Sequence, residues 1–188
     1  QATYYNIDIN SLKEALSESP KRGSLAARNS TTIIKFPNAK GVMESFRIEE
    51  ASTMPTDFQA LFPNIRAYSG KGIDDPTALL RFSLSDEKGL SSMVLSNKNT
   101  VFIEPYLDDL STYILYTRSS DDVRSNFVCE TEYVAPEISN FDLESYRNAN
   151  DGTLRTFRLA LACTGEYAQF HGGTLGGVIA AMNTTMAR

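Results

Sequence analysis

The sequence predicts an α+β protein in which an antiparallel β-sheet predominates and the helices are short. Between residues 31 and 117, runs of β-branched and aromatic residues alternate with short stretches rich in Pro, Gly, Asn and Asp, a pattern typical of strands joined by turns. Helical patterns are confined to shorter stretches near the two ends and around residue 58. The chain has 188 residues, 41% of them hydrophobic, which is enough to bury a core beneath such a sheet.

The first predicted element is an amphipathic helix over residues 10–16. Ser11 and Glu14 have the spacing of a capping box, and Leu12 and Leu16 fall on one helical face. Pro20 has no backbone N–H to donate and is expected to end this stretch.

Seven strands are predicted next, at residues 31–36, 42–50, 65–69, 79–85, 91–95, 101–103 and 113–117. Segments 37–41, 86–89 and 96–99 contain Gly or Asn, which accept a positive φ at low cost, so these segments are predicted to be hairpin turns. Leu80, Phe82 and Leu84 alternate with polar neighbours, which indicates that one sheet face covers a core and the other meets water. The expected product is an antiparallel meander.

One helix is predicted to interrupt the strands, at residues 55–61. Pro55 suits the first turn of a helix and Pro63 prevents its continuation.

The C-terminal part is predicted to be a β-α unit after a polar break. Residues 136–152 have a linker-like composition, and we place a boundary near Asn150. The alternation over residues 155–167 predicts a strand with Cys163 in its core face. Thr174 is suited to cap a helix whose predicted apolar stripe comprises Leu175, Val178, Ile179, Met182 and Met186. Gly172 and Gly173 before it are expected to allow a tight turn and close packing rather than to bind an anion.

Composition excludes several classes of function. The net charge is −5 and no basic cluster is denser than Lys21 and Arg22, so we predict no nucleic-acid partner. The apolar runs are far shorter than the roughly 20 residues of a membrane span, so we predict no membrane partner. His171 is the only histidine and Cys129 and Cys163 are the only cysteines, which excludes HExxH, a three-His zinc site and a CxxC motif within these residues.

Four stretches together resemble a known family. They are FPNAKG at 36–41, IRAYSGKGIDDP at 65–76, RFS at 81–83 and RTFRLALACTGEY at 155–167. In this order they resemble the prodomain and first catalytic strand of secreted bacterial reprolysin-like zinc metalloproteases, which are metzincins. The resemblance extends from about residue 31 to residue 188.

The resemblance implies a division of the chain and a function. Residues 1–139 would be a mainly antiparallel β prodomain, residues 140–154 a linker and processing region, and residues 155–188 the first strand and helix of an incomplete metzincin catalytic domain. Arg147 or Arg155 would suit a trypsin-like cut. The pro-region would keep a secreted, extracellular zinc metalloendopeptidase latent and assist its folding, with its own catalytic domain as intramolecular partner. Zinc would belong to the full-length parent, whose HExxHxxGxxH lies downstream; this segment is expected to hold no cofactor and to be inactive alone.

Cys129 is the candidate metal ligand of this segment. A prodomain thiolate can occupy the open fourth position of a metzincin zinc, and Cys129 lies before the predicted boundary, where such a switch could reach the zinc of the missing catalytic domain. Glu130 follows it where familiar cysteine switches have Gly. The alternatives are that Cys129 is a small buried residue beside Phe127 or that it forms a disulfide.

Two other classes of function stay open on the sequence. One is a non-enzymatic extracellular β-sandwich module for binding or adhesion, whose exposed aromatic residues would come from Tyr4, Tyr5, Tyr106 and Tyr113. The other is a thiol-dependent enzyme based on Cys163 or Cys129, for which His171 would have to act as the base. No third orienting group is indicated for that pair, and the preferred interpretation of His171 is a loop residue packed beside Phe170.

Overall fold

The computed structural model describes residues 3–118 and 159–188. Residues 3–118 and 163–188 belong to one compact unit. The predicted boundary near Asn150, the linker at 140–154, Arg147, Arg155 and Cys129 all lie outside the described residues.

Eight antiparallel strands form one sheet. They are β1 (Thr3–Asn6), β2 (Ile33–Pro37), β3 (Met43–Glu50), β4 (Arg66–Gly72), β5 (Leu79–Ser85), β6 (Gly89–Leu95), β7 (Thr100–Pro105) and β8 (Thr112–Thr117). The strand order in the sheet is β1-β8-β7-β6-β5-β4-β3-β2, so β2 to β8 are a continuous meander. The α+β class, the predominance of antiparallel strands and all seven predicted strands are confirmed.

The helices among the described residues are short. They are α1 (Ile9–Leu16), a 3-10 helix (Ala26–Asn29), α2 (Thr56–Leu61), α3 (Gly165–Phe170) and α4 (Leu175–Ala187). The predicted capping box of α1 is wrong: Asp8 is the N-cap, and its carboxylate accepts hydrogen bonds from the backbone N–H groups of Asn10 at 3.0 Å and Ser11 at 3.1 Å. Ser11 therefore lies in the first turn of the helix and does not cap it.

The predicted hairpin between β5 and β6 is present, and its turn ends at a glycine with a positive φ. The pairing of Ser85 with Gly89 leaves a three-residue loop, and Gly89 has a φ of +61°. A residue in the left-handed region at this place is the usual end of a three-residue hairpin, and glycine adopts it without a Cβ penalty.

The two ends of the sheet curl toward each other. β1 was not predicted; it pairs with β8, the last strand of the sheet in sequence order, with Thr3 opposite Leu115. Residues of β1 and β2, the two end strands, line one cavity of about 270 Å³, and the Tyr5 hydroxyl lies 3.2 Å from the position that a Cβ on Gly41 would occupy. The curl encloses the core.

The inner face of the sheet forms that core. Leu80, Phe82 and Leu84 are buried as the alternation predicted, and the Phe82 ring stacks on Tyr68 with centroids 4.9 Å apart. The prediction that the other face of β5 meets water is wrong at Ser83 and Ser85, which are buried as well. Leu16 of α1 is buried in the same cluster. Tyr113 has no exposed surface, and its hydroxyl oxygen accepts a hydrogen bond from the Leu90 N–H at 3.4 Å.

The connection from β4 to β5 is organised by Asp75. Its carboxylate accepts hydrogen bonds from the Thr77 N–H at 3.0 Å, the Thr77 hydroxyl at 2.7 Å and the Lys98 ammonium at 3.0 Å. The Thr77 hydroxyl and the Lys98 ammonium stabilise the ionised form, and together they lower the pKa of Asp75 to about 2.

The prediction of a strand over residues 155–167 is wrong for its described part. Residues 159–164 form neither helix nor strand, and α3 begins at Gly165. A strand needs a hydrogen-bonded neighbour, and no described strand pairs with these residues. Apolar alternation alone therefore did not decide the local structure.

Candidate functional site

Residues 159–164, which belong to one of the four stretches that carry the family resemblance, lie at the protein surface. Leu159 and Leu161 are 66% and 49% exposed, and the thiol residue Cys163 is exposed and free of any disulfide. The prediction that Cys163 fills a core is therefore wrong.

Helix α3 begins after an N-cap residue, Thr164, that lies within the stretch predicted to be a strand. The Thr164 hydroxyl accepts a hydrogen bond from the Tyr167 N–H at 3.3 Å. Glu166 lies in the first turn, where backbone and Thr164 hydrogen bonds lower the pKa of its carboxyl group. The signal that could have identified this helix is Thr164 directly before Gly165 and Glu166.

His171 is the C-cap of α3 and packs against aromatic rings. Its ring centroid lies 4.4 Å from that of Tyr167 and 5.0 Å from that of Phe170, both edge to face. Desolvation, followed by the positive charge of Lys88, lowers the pKa of His171. Packing beside Phe170 agrees with the preferred interpretation of this residue. No hydrogen bond joins Cys163 to His171 among the described residues.

The turn between α3 and α4 depends on its glycines, as predicted. Gly172 and Gly173 have φ values of +91° and +66°. Thr174 caps α4 by accepting a hydrogen bond from the Gly177 N–H at 3.1 Å. A Cβ on Gly177 would lie 2.2 Å from the His171 carbonyl oxygen, so close packing requires glycine here too.

Helix α4 packs on the outer face of the sheet, over β4 and β5. The predicted stripe is only partly correct: Val178 is buried, but Leu175 and Met186 are exposed. The face turned inward is made of small residues instead, and its buried members are Gly177, Val178, Ala180, Ala181, Asn183 and Ala187. It meets buried small residues of the sheet that include Ala67 and Ser83, so the helix can approach closely.

Polar contacts fix the position of α4. Asn183 is only 3% exposed; its amide donates to the Arg66 carbonyl oxygen at 3.2 Å and accepts from the Thr53 hydroxyl at 2.6 Å. The hydroxyls of Thr184 and Ser83 are 2.8 Å apart. Because these groups are satisfied only in the docked position, they fix the register of the helix on the sheet.

The C-terminal end of α4 is held by an ionic network. The Arg188 guanidinium lies 2.6 Å from Glu104 and 5.8 Å from the centroid of the Phe102 ring. Tyr116 donates a hydrogen bond to the other Glu104 oxygen at 2.7 Å. Burial, and then the hydrogen bond to Glu104 and its negative charge, raise the pKa of Tyr116 to about 12.

The tyrosines considered for a binding module divide into two groups. Tyr113 is buried in the core and cannot contact a ligand. Tyr4 and Tyr106 are exposed and form an edge-to-face pair with centroids 4.8 Å apart. Tyr5 lines the cavity between the two end strands.

A second cavity lies on the outer face of the sheet and was missed by sequence reasoning. It measures about 310 Å³ and is lined on its charged side by Arg28, Arg47, Lys71, Arg81 and Glu49. We call it the basic pocket. These residues come from the 3-10 helix and three strands, so no local run of charge could have identified them. Only a correct strand register places them together.

Among residues 3–118 and 159–188, no group of three or more His, Cys, Asp or Glu side chains could hold a metal ion. In the same residues, no helix is both long and apolar enough to cross a membrane. No family model, no curated protein and no solved structure matches this chain.

Proposed function

We propose that this chain is the pro-region of a secreted zinc metalloendopeptidase together with the opening segment of its catalytic domain, residues 155–188, and that the pro-region keeps the enzyme latent and assists its folding. The proposal rests on the family resemblance of the stretches at 36–83 and 155–167. The structural observation that supports it best is the docking of α4 on β4 and β5. In this proposal, that contact joins the catalytic domain to its own prodomain.

The contact suits a reversible intramolecular inhibitor. Its buried side chains are small, and its specificity comes from a few hydrogen bonds such as those of Asn183. While the linker is intact, the two surfaces face each other at a high effective concentration, which is lost when the linker is cut. Contacts of this modest strength would hold the precursor and release the mature enzyme.

The proposal assigns no zinc ligand to the described residues, among which no group of three or more His, Cys, Asp or Glu side chains is found. In the proposal the zinc ligands are the histidines of a downstream HExxHxxGxxH. Cys129, which lies outside the described residues, stays the proposed thiolate ligand of the latent state.

The first test is to translate the coding sequence that follows Arg188. The proposal expects HExxHxxGxxH within the remainder of a catalytic domain. Unrelated modules or a stop codon at that place would refute it.

The second test uses the full precursor and measures peptidase activity before and after cleavage of the linker. Thr53→Val and Ser83→Val each delete one hydroxyl that contacts α4 and leave the catalytic segment unchanged. Each is expected to raise the activity of the uncleaved precursor roughly fivefold, the equivalent of one hydrogen bond. Thr3→Val, on the exposed strand β1, is the matched control. Equal activity of the uncleaved and cleaved parent protein would contradict a latency function.

The exposed pair Tyr4 and Tyr106 favours one alternative, an extracellular binding module. In that case the double substitution of both residues by Ala would abolish binding to immobilised glycans while the fold persists. The latency function predicts no glycan binding to begin with.

A further inference from the structure

The basic pocket combines positive charges that the sheet register forces together. Arg47 of β3 is directly opposite Lys71 of β4, and Arg81 of β5 is opposite Ser69, the next residue on the same face of β4. Like charges directly opposite each other destabilise an antiparallel sheet. In a chain with a net charge of −5, such a group of cations is an exception that calls for a physical reason.

The negative charge near these cations is insufficient to neutralise them. Glu49 is the only carboxylate that lines the pocket, and it is already occupied: Arg22 lies 3.7 Å away and the Ser69 hydroxyl donates to it at 2.8 Å. Within the described residues, no carboxylate lies within 4.0 Å of Arg28, Lys71 or Arg81. Among the described residues, these three cations therefore form no ion pair.

The pocket is held in shape by hydrogen bonds beneath it. The Ser30 hydroxyl donates to the Ile48 carbonyl oxygen at 2.5 Å, and the Ile48 N–H donates to the Thr32 carbonyl oxygen at 2.9 Å. These bonds attach the chain after the 3-10 helix to β3. The Arg47 guanidinium donates to the Ser30 carbonyl oxygen at 3.0 Å, which fixes its direction. Because these groups are already held in place, binding a ligand costs little conformational entropy at Arg47 and in the backbone of the pocket.

Arg81 shows that the pocket is not simply a hydrated surface. Burial, and next the nearby charge of Arg22, lower the pKa of its guanidinium. The charge of Glu49 opposes this shift, but that carboxylate also interacts with Arg22 and Ser69, and a partly dehydrated guanidinium binds an anion more strongly than one in bulk water.

We propose that the basic pocket binds a small ligand through a doubly charged oxyanion group, such as a phosphate or a dicarboxylate. Arg28, Arg47 and Arg81 supply planar guanidinium groups, which bind such oxyanions in a bidentate manner, and Lys71 adds a point charge. The excess of cations over the single carboxylate favours a dianion over a monoanion. A cavity of about 310 Å³ suits a small molecule rather than a polymer lying along the surface. This site is independent of the proposed latency function, and none of its lining residues belongs to α4.

The proposal makes opposite predictions for one variant in the absence and presence of ligand. Lys71→Gln removes one member of the like-charged pair, so we expect the ligand-free chain to melt at a higher temperature than the parent. The same variant should lose most of the stabilisation that millimolar inorganic phosphate gives the parent. Substitution of a residue that only stabilised the fold would lower the melting temperature of the ligand-free chain and would leave the added stabilisation by phosphate unchanged.

The experiment compares the melting temperature of the full chain in sodium phosphate, sodium malonate and sodium chloride at equal ionic strength. We expect phosphate or malonate, but not chloride, to raise the melting temperature, and the responding salt identifies the class of oxyanion. Arg81→Gln should weaken binding of that ion about tenfold in calorimetric titration. Lys40→Gln, in the exposed turn between β2 and β3, is the matched control and should bind as the parent does. Equal responses to all three salts, or equal responses of the parent and Lys71→Gln, would overturn the proposal.

Discussion

Gly89 provides the sharpest test of how the β5–β6 turn meets the core. Its φ of +61° would strain any residue with a Cβ by roughly 1–2 kcal/mol. A Cβ built there would also lie 2.5 Å from the hydroxyl oxygen of Tyr113, whose side chain is fully buried and cannot move aside freely. Overpacking of this kind costs about 1–3 kcal/mol more. Gly89→Ala should therefore lower the free energy of unfolding by roughly 2–5 kcal/mol.

Gly23 is the matched control because it has a similar φ of +81° but no atom within 4 Å of its Cβ position. Gly23→Ala should show only the strain, about 1–2 kcal/mol. The difference between the two variants measures the clash with Tyr113.

The assay is urea unfolding of the parent, Gly89→Ala, Tyr113→Phe and the double variant. Tyr113→Phe alone should cost about 1 kcal/mol, since the Leu90 N–H loses its hydroxyl acceptor. In the double variant the clash is gone, so the two changes should be less damaging than their sum by about 1–3 kcal/mol. Additive effects, or a Gly89→Ala variant no less stable than Gly23→Ala, would refute the reasoning.

Four further outcomes are expected. Asp75→Asn should lower the free energy of unfolding at neutral pH. The difference in free energy between variant and parent should vanish as the pH falls from about 4 to 2, because the folded-state pKa of Asp75 lies below its ordinary value of 3.8. Acid unfolding curves of both proteins check this. Tyr116 has a raised pKa, so it contributes stability that is lost as the pH rises from 10 through about 12; alkaline unfolding should show that Tyr116→Phe lacks this loss. Asn183→Ala should cost about 1–3 kcal/mol in urea unfolding because it leaves a buried carbonyl oxygen and a hydroxyl without their partner, whereas Met186→Ala, at a position 44% exposed, should cost less. Cys163 should react with iodoacetamide in the folded chain, as identified by mass spectrometry of its peptides; protection until denaturant is added would contradict its exposure.

The meander could be predicted because its information is local. Each of β2 to β8 pairs with its neighbour in sequence, and Gly or Asn residues mark the reversals at 37–41, 86–89 and 96–99. β1 was missed because Thr3–Asn6 is only four residues long and its partner β8 lies at the other end of the sheet sequence. No nearby residue signals such a pairing.

The errors at the C-terminal end have a common physical origin. The alternation through Leu159 and Leu161 predicted burial, but burial depends on a partner that the described residues do not supply. In α4, the largest apolar residues were assumed to face inward. Under α4, the outer face of the sheet carries small residues such as Ser83. The small-residue face of α4 around Ala180 packs against them, and Met186 is exposed. Hydrophobicity identified the helix, whereas steric fit selected its buried face.

The candidate sites differ in the same way. Cys163 and His171 could be chosen as candidates from the sequence because each is a rare residue type in this chain. In the structure, no hydrogen bond joins these two described residues. The basic pocket was invisible because Arg47 and Lys71 become neighbours only through strand register. A prediction of register, and not of composition, would have been needed to find it.

The pairing of β1 with β8 sets an order of events during synthesis. At about 5–20 residues per second, β1 leaves the ribosome several seconds before β8 exists, whereas each hairpin of the meander can form as soon as its second strand emerges. The N-terminal strand must therefore wait, unpaired, for the last strand of the sheet. Among the strand pairings of the sheet, this contact closes the longest loop, and we expect it to limit the rate at which the nascent chain completes its sheet.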